Sequence, residues 1–161
     1  MKSIRKIKLY LLLICFLINI VYVTPSYSLS PQEDLFKNAL NLSSSGEFNL
    51  ALKQWNKYLE LFPDDAAALS NRGNIKLVNG DPEGAIEDQD KAIELDPGEV
   101  DPYINRGIAE ESLGLWLQAK NDYLYVISKD KDNFSALYNF ANVEGSLSNW
   151  QSARNLFSKA S

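Results

Sequence analysis

The chain has 161 residues, 45% of them hydrophobic, with 16 basic against 21 acidic side chains and a net charge of −5. It contains no histidine and a single cysteine, Cys15. The first absence removes the commonest general base and metal ligand, a lone thiol excludes an intrachain disulfide, and the negative balance disfavours nucleic acid as a partner.

At the N-terminus Lys2, Arg5, Lys6 and Lys8 precede an apolar run over residues 9–23, interrupted only by Asn19 and followed by Ser26, Tyr27 and Ser28. A basic start, a 15-residue apolar stretch and small residues at the cleavage positions read as a secretory signal peptide over residues 1–28. The run is shorter than the roughly 20 residues that span a bilayer, which makes an uncleaved anchor over 9–23 the alternative. Ile14 stands where a lipoprotein signal needs a small residue before Cys15. Cleavage after Ser28 leaves 133 residues without cysteine and, by removing four basic and no acidic side chains, takes the charge from −5 to −9. Such a surface favours basic partners and also keeps an exposed helical array in solution. Ser30, Pro31 and Glu33 then carry the signature of a capped helix start.

From there a period of 34 residues governs the chain. Ala51, Ala85, Ala119 and Ala153 fall on it. With Gln32, Ala66, Val100 and Phe134 as first positions, the eighth is always small: Ala39, Gly73, Gly107, Ala141. Small eighth and twentieth residues let two helices cross closely. Larger ones fill the gaps: Leu35, Leu69, Tyr103 and Leu137 at position four, and Trp55, Gln89, Tyr123 and Phe157 at position twenty-four, where Gln89 is the polar exception. Gly46, Gly80 and Gly114 mark the turn inside each hairpin, with Ser148 in the fourth, while Pro63 and Pro97 close second helices and Lys131 takes that place in the third repeat. The predicted architecture is all-α, about eight helices over 31–161, in repeats at approximately 32–65, 66–99, 100–133 and 134–161. A fixed period of this length marks stacked helical hairpins.

These positions resemble the tetratricopeptide-repeat family from about Gln32 onward, most closely over NRGNIKLVNGDPEGAIEDQDKAIELDP, residues 71–97. The chain departs from the family's tyrosine at position eleven, where it has Leu42, Lys76, Glu110 and Glu144. The resemblance implies a right-handed superhelix whose first helices line a concave groove, and a scaffold or adaptor that holds a protein or extended peptide and assembles complexes rather than catalysing a reaction. It places the sixth-position residues Lys37, Asn71, Asn105 and Asn139 on that face, with Asn74, Ile108 and Asn142 three residues further on. Asparagine offers donors and acceptors suited to a peptide backbone, or alternatively steadies neighbouring turns. Ile104, Glu111 and Tyr138 are further groove candidates, and Arg72 and Arg106 either line the groove or pack between helices. A carboxylate clamp of the family's chaperone-binding subclass is not expected, because Phe36 and Leu40 replace its lysine and asparagine, and Asp101 and Asn105 stand in the third repeat where it is basic. The tripeptides Asn71-Arg72-Gly73 and Asn105-Arg106-Gly107 are similar to those of repeat proteins common in cyanobacteria and chloroplasts, which implies a thylakoid lumen or periplasm.

No cofactor, metal or catalytic set is expected. Glu110-Glu111 and Asp88-Gln89-Asp90 read as solvated helix faces, with a carboxylate-based hydrolase as the alternative from another class, and Asp130-Lys131-Asp132-Asn133 reads as a turn and helix cap because it lacks a calcium loop's glycine and closing glutamate. The sequons at Asn41 and Asn133 would act only in a eukaryotic secretory route. In the last hairpin Trp150 repeats Trp116 and is expected to pack as it does. Leu147, Trp150, Leu156 and Phe157 otherwise make that end a self-association surface, since repeat arrays need a polar cap over their last apolar face.

Overall fold

The structure is a computed structural model that describes residues 30–160. The segment read as a signal peptide and Ser161 lie outside the described residues. Among the described residues eight helices follow one another, α1 (Pro31–Ser44), α2 (Phe48–Leu61), α3 (Ala66–Val78), α4 (Pro82–Leu95), α5 (Asp101–Ser112), α6 (Trp116–Lys129), α7 (Phe134–Ser146) and α8 (Trp150–Ala160). No strand occurs among the described residues. Successive helices pair as hairpins, each hairpin packs on the next, and the first helices α1, α3, α5 and α7 lie beside one another along the stack. This is a helical-repeat solenoid.

The local signals act at the offsets the period requires. The turn residues Gly46, Gly80 and Gly114 have φ of 81°, 82° and 73°, a region open to glycine at no steric cost, and Ser148 is held there at 64°. Asp65, Asp81 and Asn133 cap α3, α4 and α7 by accepting from the amides of Ala68, Gly84 and Ala136 at 2.9, 3.0 and 3.0 Å. The segment 130–133 is thus the turn and cap that feed α7. Helices α2 and α4 end at Leu61 and Leu95, two residues before Pro63 and Pro97, and α6 ends at Lys129 without a proline.

Ala51, Ala85, Ala119 and Ala153 are all buried at the crossings within hairpins. Gly73 and Gly107 show why those crossings tolerate no bulk. A Cβ on Gly107 would stand 2.7 Å from the Tyr123 ring, and one on Gly73 would stand 2.7 Å from the Gln89 amide nitrogen and 3.2 Å from the Ala85 carbonyl oxygen. Two apolar clusters fill the stack. One surrounds Trp55 and Tyr58, onto which Phe36 packs edge-on at 5.0 and 5.4 Å, and the other surrounds Tyr123, Val126 and Phe140. Gln89 sits where these clusters have aromatics, donating to the Ser70 carbonyl at 3.0 Å while its Oε1 finds no partner.

Three expectations are corrected. Asp88, Gln89 and Glu110, read as parts of solvated helix faces, are buried between helices. Ile104, expected in the groove, is buried in the second cluster. Trp150, expected to pack like Trp116, is 69% exposed, because Trp116 leans on the cluster around Tyr123 and no helix lies beyond α8 among the described residues.

Candidate binding groove

A cleft of about 350 Å³ opens between the first helices of the second and third repeats, bounded by the start of α3, the end of α4 and the turn into α5. Its walls include Ser70, Asn71 and Asn74 of α3, Asn105 of α5, and three carboxylates, Asp96, Glu99 and Asp101. No lysine or arginine lines it. The 34-residue period explains the grouping: Asn71 and Asn105 occupy the same place on adjacent parallel helices, and Asn74 lies one turn beyond Asn71 on the same face.

Asn71 and Asn105 each spend a side-chain donor within the fold, and Asn74 spends its acceptor. Asn71 Nδ2 donates to the Ala67 carbonyl one turn back at 2.8 Å, and Asn105 Nδ2 donates across the repeat boundary to Ser70 Oγ at 3.2 Å. Asn74 Oδ1 receives a long bond from Gln89 Nε2 at 3.4 Å. Among the described residues, the carbonyl oxygens of Asn71 and Asn105 therefore remain open as acceptors beside the exposed carboxylates. Rather than a ladder offering donors and acceptors equally, the cleft is rich in acceptors and fits a ligand rich in N–H groups.

The other sixth- and ninth-position candidates are not gathered into this cleft. Lys37 is exposed on α1, Ile108 stands exposed one turn beyond Asn105, and Asn139 is half-buried in the same register on α7. Asn142 lines a separate cleft at the last hairpin. Tyr138 is exposed and touches Phe134 and Phe157 with ring centroids 6.0 and 5.6 Å away.

Arg72 and Arg106 pack between helices. Arg72 grips Asp88 with Nε and Nη2, both at 2.7 Å, and reaches back to Asn56 of the preceding repeat at 3.1 Å. One period later Arg106 grips Asp122 in the same way and reaches Asp90 at 2.6 Å. These forks tie each hairpin to itself and to its predecessor, and Lys120 ties α6 to Glu144 of α7 at 2.7 Å. Sequence reasoning missed this ladder, although arginine and aspartate recur sixteen residues apart in both repeats.

Position eleven carries the electrostatic irregularity. Lys76 joins Asp88 at 3.1 Å, and Glu144 is held below the usual carboxylate range because bonds from Lys120, Ser152 and Asn149 outweigh its burial. Glu110 has neither arrangement. The place that Lys120 holds for Glu144 is Ile86 one repeat earlier, so Glu110 Oε2 is buried without a partner. Burial, then the charge of Asp122, pushes its carboxyl up to about 7, against the opposing pull of Arg106. Burial also raises Glu111, whose carboxylate accepts from Tyr123 Oη and is partly restored by that bond. The two glutamates face different neighbours, which is not the geometry of a carboxylate pair sharing one substrate.

Comparison with known proteins agrees with this architecture. A tetratricopeptide-repeat family model matches residues 36–100. Sperm-associated antigen 1 of Rattus norvegicus is 29% identical over 115 residues, 71% of this chain, and tetratricopeptide repeat protein 36 of Homo sapiens is 27% identical over 105 residues, 63% of it. The matched segments span only 13% of the rat protein and 56% of the human one. Among solved structures, the first TPR of Spaghetti (RPAP3) bound to the HSP90 peptide SRMEEVD superposes with a TM-score of 0.70 at 21% identity, covering 73% of this chain and 93% of that one. The 34-residue register, the eight stacked helices of the described residues and these matches give one answer: residues 36–100 match the tetratricopeptide-repeat family, and the rest of the described stack is similar to it in fold.

Proposed function

We propose that the protein is an interaction scaffold that holds an extended peptide segment of a partner protein in the cleft between its second and third repeats, and that the segment carries a lysine or arginine. The observation that carries this reading is the acceptor-rich lining: open amide oxygens on Asn71 and Asn105 beside Asp96, Glu99 and Asp101, with no basic side chain among them. Peptide N–H groups suit the amide oxygens, and a cationic side chain suits the carboxylates. The Spaghetti repeat domain holds a peptide containing two glutamates and an aspartate. That similarity supports peptide capture by this fold, and the opposite charge of the present cleft supports a peptide of opposite sign.

Export is part of the proposal. The order of basic, apolar and small residues over 1–28 supports delivery to a periplasm or thylakoid lumen, where the scaffold would serve complex assembly, and a mature chain whose mass begins at residue 29 tests it.

The binding reading is tested by selecting random decapeptides on the immobilised protein. Enriched sequences contain lysine or arginine, and the variant combining Asp96→Asn, Glu99→Gln and Asp101→Asn retains them about tenfold less at unchanged helicity, the equivalent of a few partly screened charge contacts. Enrichment of acidic sequences, or retention indifferent to those substitutions, sinks the reading.

A further inference from the structure

A second cleft, of about 630 Å³, lies on the outer face of the last hairpin, and the repeat symmetry shows what belongs in it. Position twenty-four is fully covered in Trp55, Gln89 and Tyr123, whereas Phe157 is 40% exposed. The reason is that α8 touches only α7 among the described residues, while α2, α4 and α6 each carry the first helix of the following repeat.

The two ends of the stack differ. Residues at positions three and ten of a first helix face the preceding hairpin, and they are buried as Ala68 and Ile75, Pro102 and Ala109, and Ala136 and Val143. In α1 the same positions are Asp34 and Asn41, both exposed. The start of the stack is thus polar and unsuited to lie on another hairpin. The α1 helix of a second copy could enter the cleft beside Phe157 only by burying those groups.

The seating of α7 on α6 supplies the template for an occupant. Ala136, Phe140 and Val143 share one buried cluster with Ala119 and Tyr123, and Lys120 Nζ meets Glu144 Oε1 at 2.7 Å while lying 5.4 Å from the Phe140 ring. Moved by one period, Ala119, Lys120 and Tyr123 become Ala153, Arg154 and Phe157. All three line the open cleft, so it keeps the small floor, the cation and the aromatic wall. Arg154 forms no ion pair among the described residues, in contrast to Lys120.

We propose that this cleft is a docking site for an amphipathic helix of a partner polypeptide, with a small residue, an aromatic and a β-branched residue at i, i+4 and i+7 and a carboxylate at i+8 that pairs with Arg154. The surface is distinct from the peptide cleft between repeats two and three, and its occupant is helical rather than extended.

The protein itself provides the probe. A fluorescent peptide with the sequence of residues 133–147 carries Ala136, Phe140, Val143 and Glu144 in the required spacing. Anisotropy shows saturable binding to the full chain, Arg154→Glu weakens it about fivefold, and a peptide with Glu144→Lys recovers the loss against that variant. Phe157→Glu, which replaces the aromatic wall at a position that is 40% exposed, abolishes binding while circular dichroism stays that of the parent. Three results overturn the proposal: no binding of the peptide, binding indifferent to Arg154→Glu and to the charge swap, or a parent protein that sediments as a dimer and becomes monomeric with Phe157→Glu, which assigns the cleft to a second copy.

Discussion

Glu110 is a buried carboxyl whose Oε2 has no partner and whose proton is held up to about pH 7, so it should weaken the fold when it ionises. The folded chain binds that proton more tightly than an unfolded one, in which the group titrates at 4.5. Its contribution is therefore fully present below pH 4.5, declines as pH rises from there, and is lost once pH passes about 7. At about 1.4 kcal/mol for each tenfold change in proton affinity, the full loss is roughly 3 kcal/mol, and relaxation around a group that is 8% exposed reduces this to about 2 kcal/mol. Glu110→Gln keeps the shape without the charge. It should gain about 2 kcal/mol over the parent at pH 8 and almost nothing at pH 4.5, measured as denaturant midpoints followed by circular dichroism. Glu110→Lys, which copies the Lys76–Asp88 pairing onto Asp122, should match or exceed that gain at pH 8. Glu111, raised in the same direction, leaves a smaller residual slope. Parallel stability profiles for parent and Glu110→Gln between pH 4.5 and 8 would refute the reasoning.

Three further substitutions probe the scaffold through the same denaturation measurement. Gly107→Ala drives a methyl to 2.7 Å from the ring of fully buried Tyr123 and should cost about 1 to 3 kcal/mol, more than Gly73→Ala, where the flexible end of Gln89 can turn aside. Arg106→Ala strips the fork from Asp122, which is left buried near Glu110, and should cost about 3 kcal/mol and more at pH 8 than at pH 5; an effect below 1 kcal/mol would show that the ladder is decorative. Ser148→Gly relieves a left-handed φ of 64° and should raise stability by about 0.5 kcal/mol, whereas Gly114→Ala, at φ 73°, should lower it by about 1 kcal/mol.

The parts of the fold that were legible in the sequence are those fixed by local geometry repeated four times. A crossing that admits only small residues writes itself as Ala51, Ala85, Ala119 and Ala153, and a turn needing positive φ as Gly46, Gly80 and Gly114. Features that depend on which neighbour a side chain meets were harder to read. Ile104 belongs to an amphipathic helix on any count, but only the position of α7 decides that it is core. Trp150 and Trp116 are alike in sequence and differ in exposure because a helix lies over one hairpin and not the other. The sixth-position asparagines could be aligned, yet nothing in their spacing tells that Asn71 turns its amide onto Ala67 and Asn105 onto Ser70, leaving acceptors outward. The carboxylates of the cleft were scattered over a helix end and a turn, 96–101, and come together with the amides only in three dimensions. The arginine ladder was readable in principle, since applying the same period to charged residues pairs Arg72 with Asp88 and Arg106 with Asp122.

The central claim is that the cleft between the second and third repeats receives a basic extended peptide. Its most direct test is a titration of the isotopically labelled protein with a lysine-containing peptide from the selection, followed through side-chain amide resonances. The account predicts saturating shifts for the amides of Asn71, Asn74 and Asn105, while Gln54 and Gln118, on the second helices α2 and α6, stay unmoved. Shifts confined to those second helices or to the last hairpin, with Asn71 and Asn105 unmoved, would contradict it.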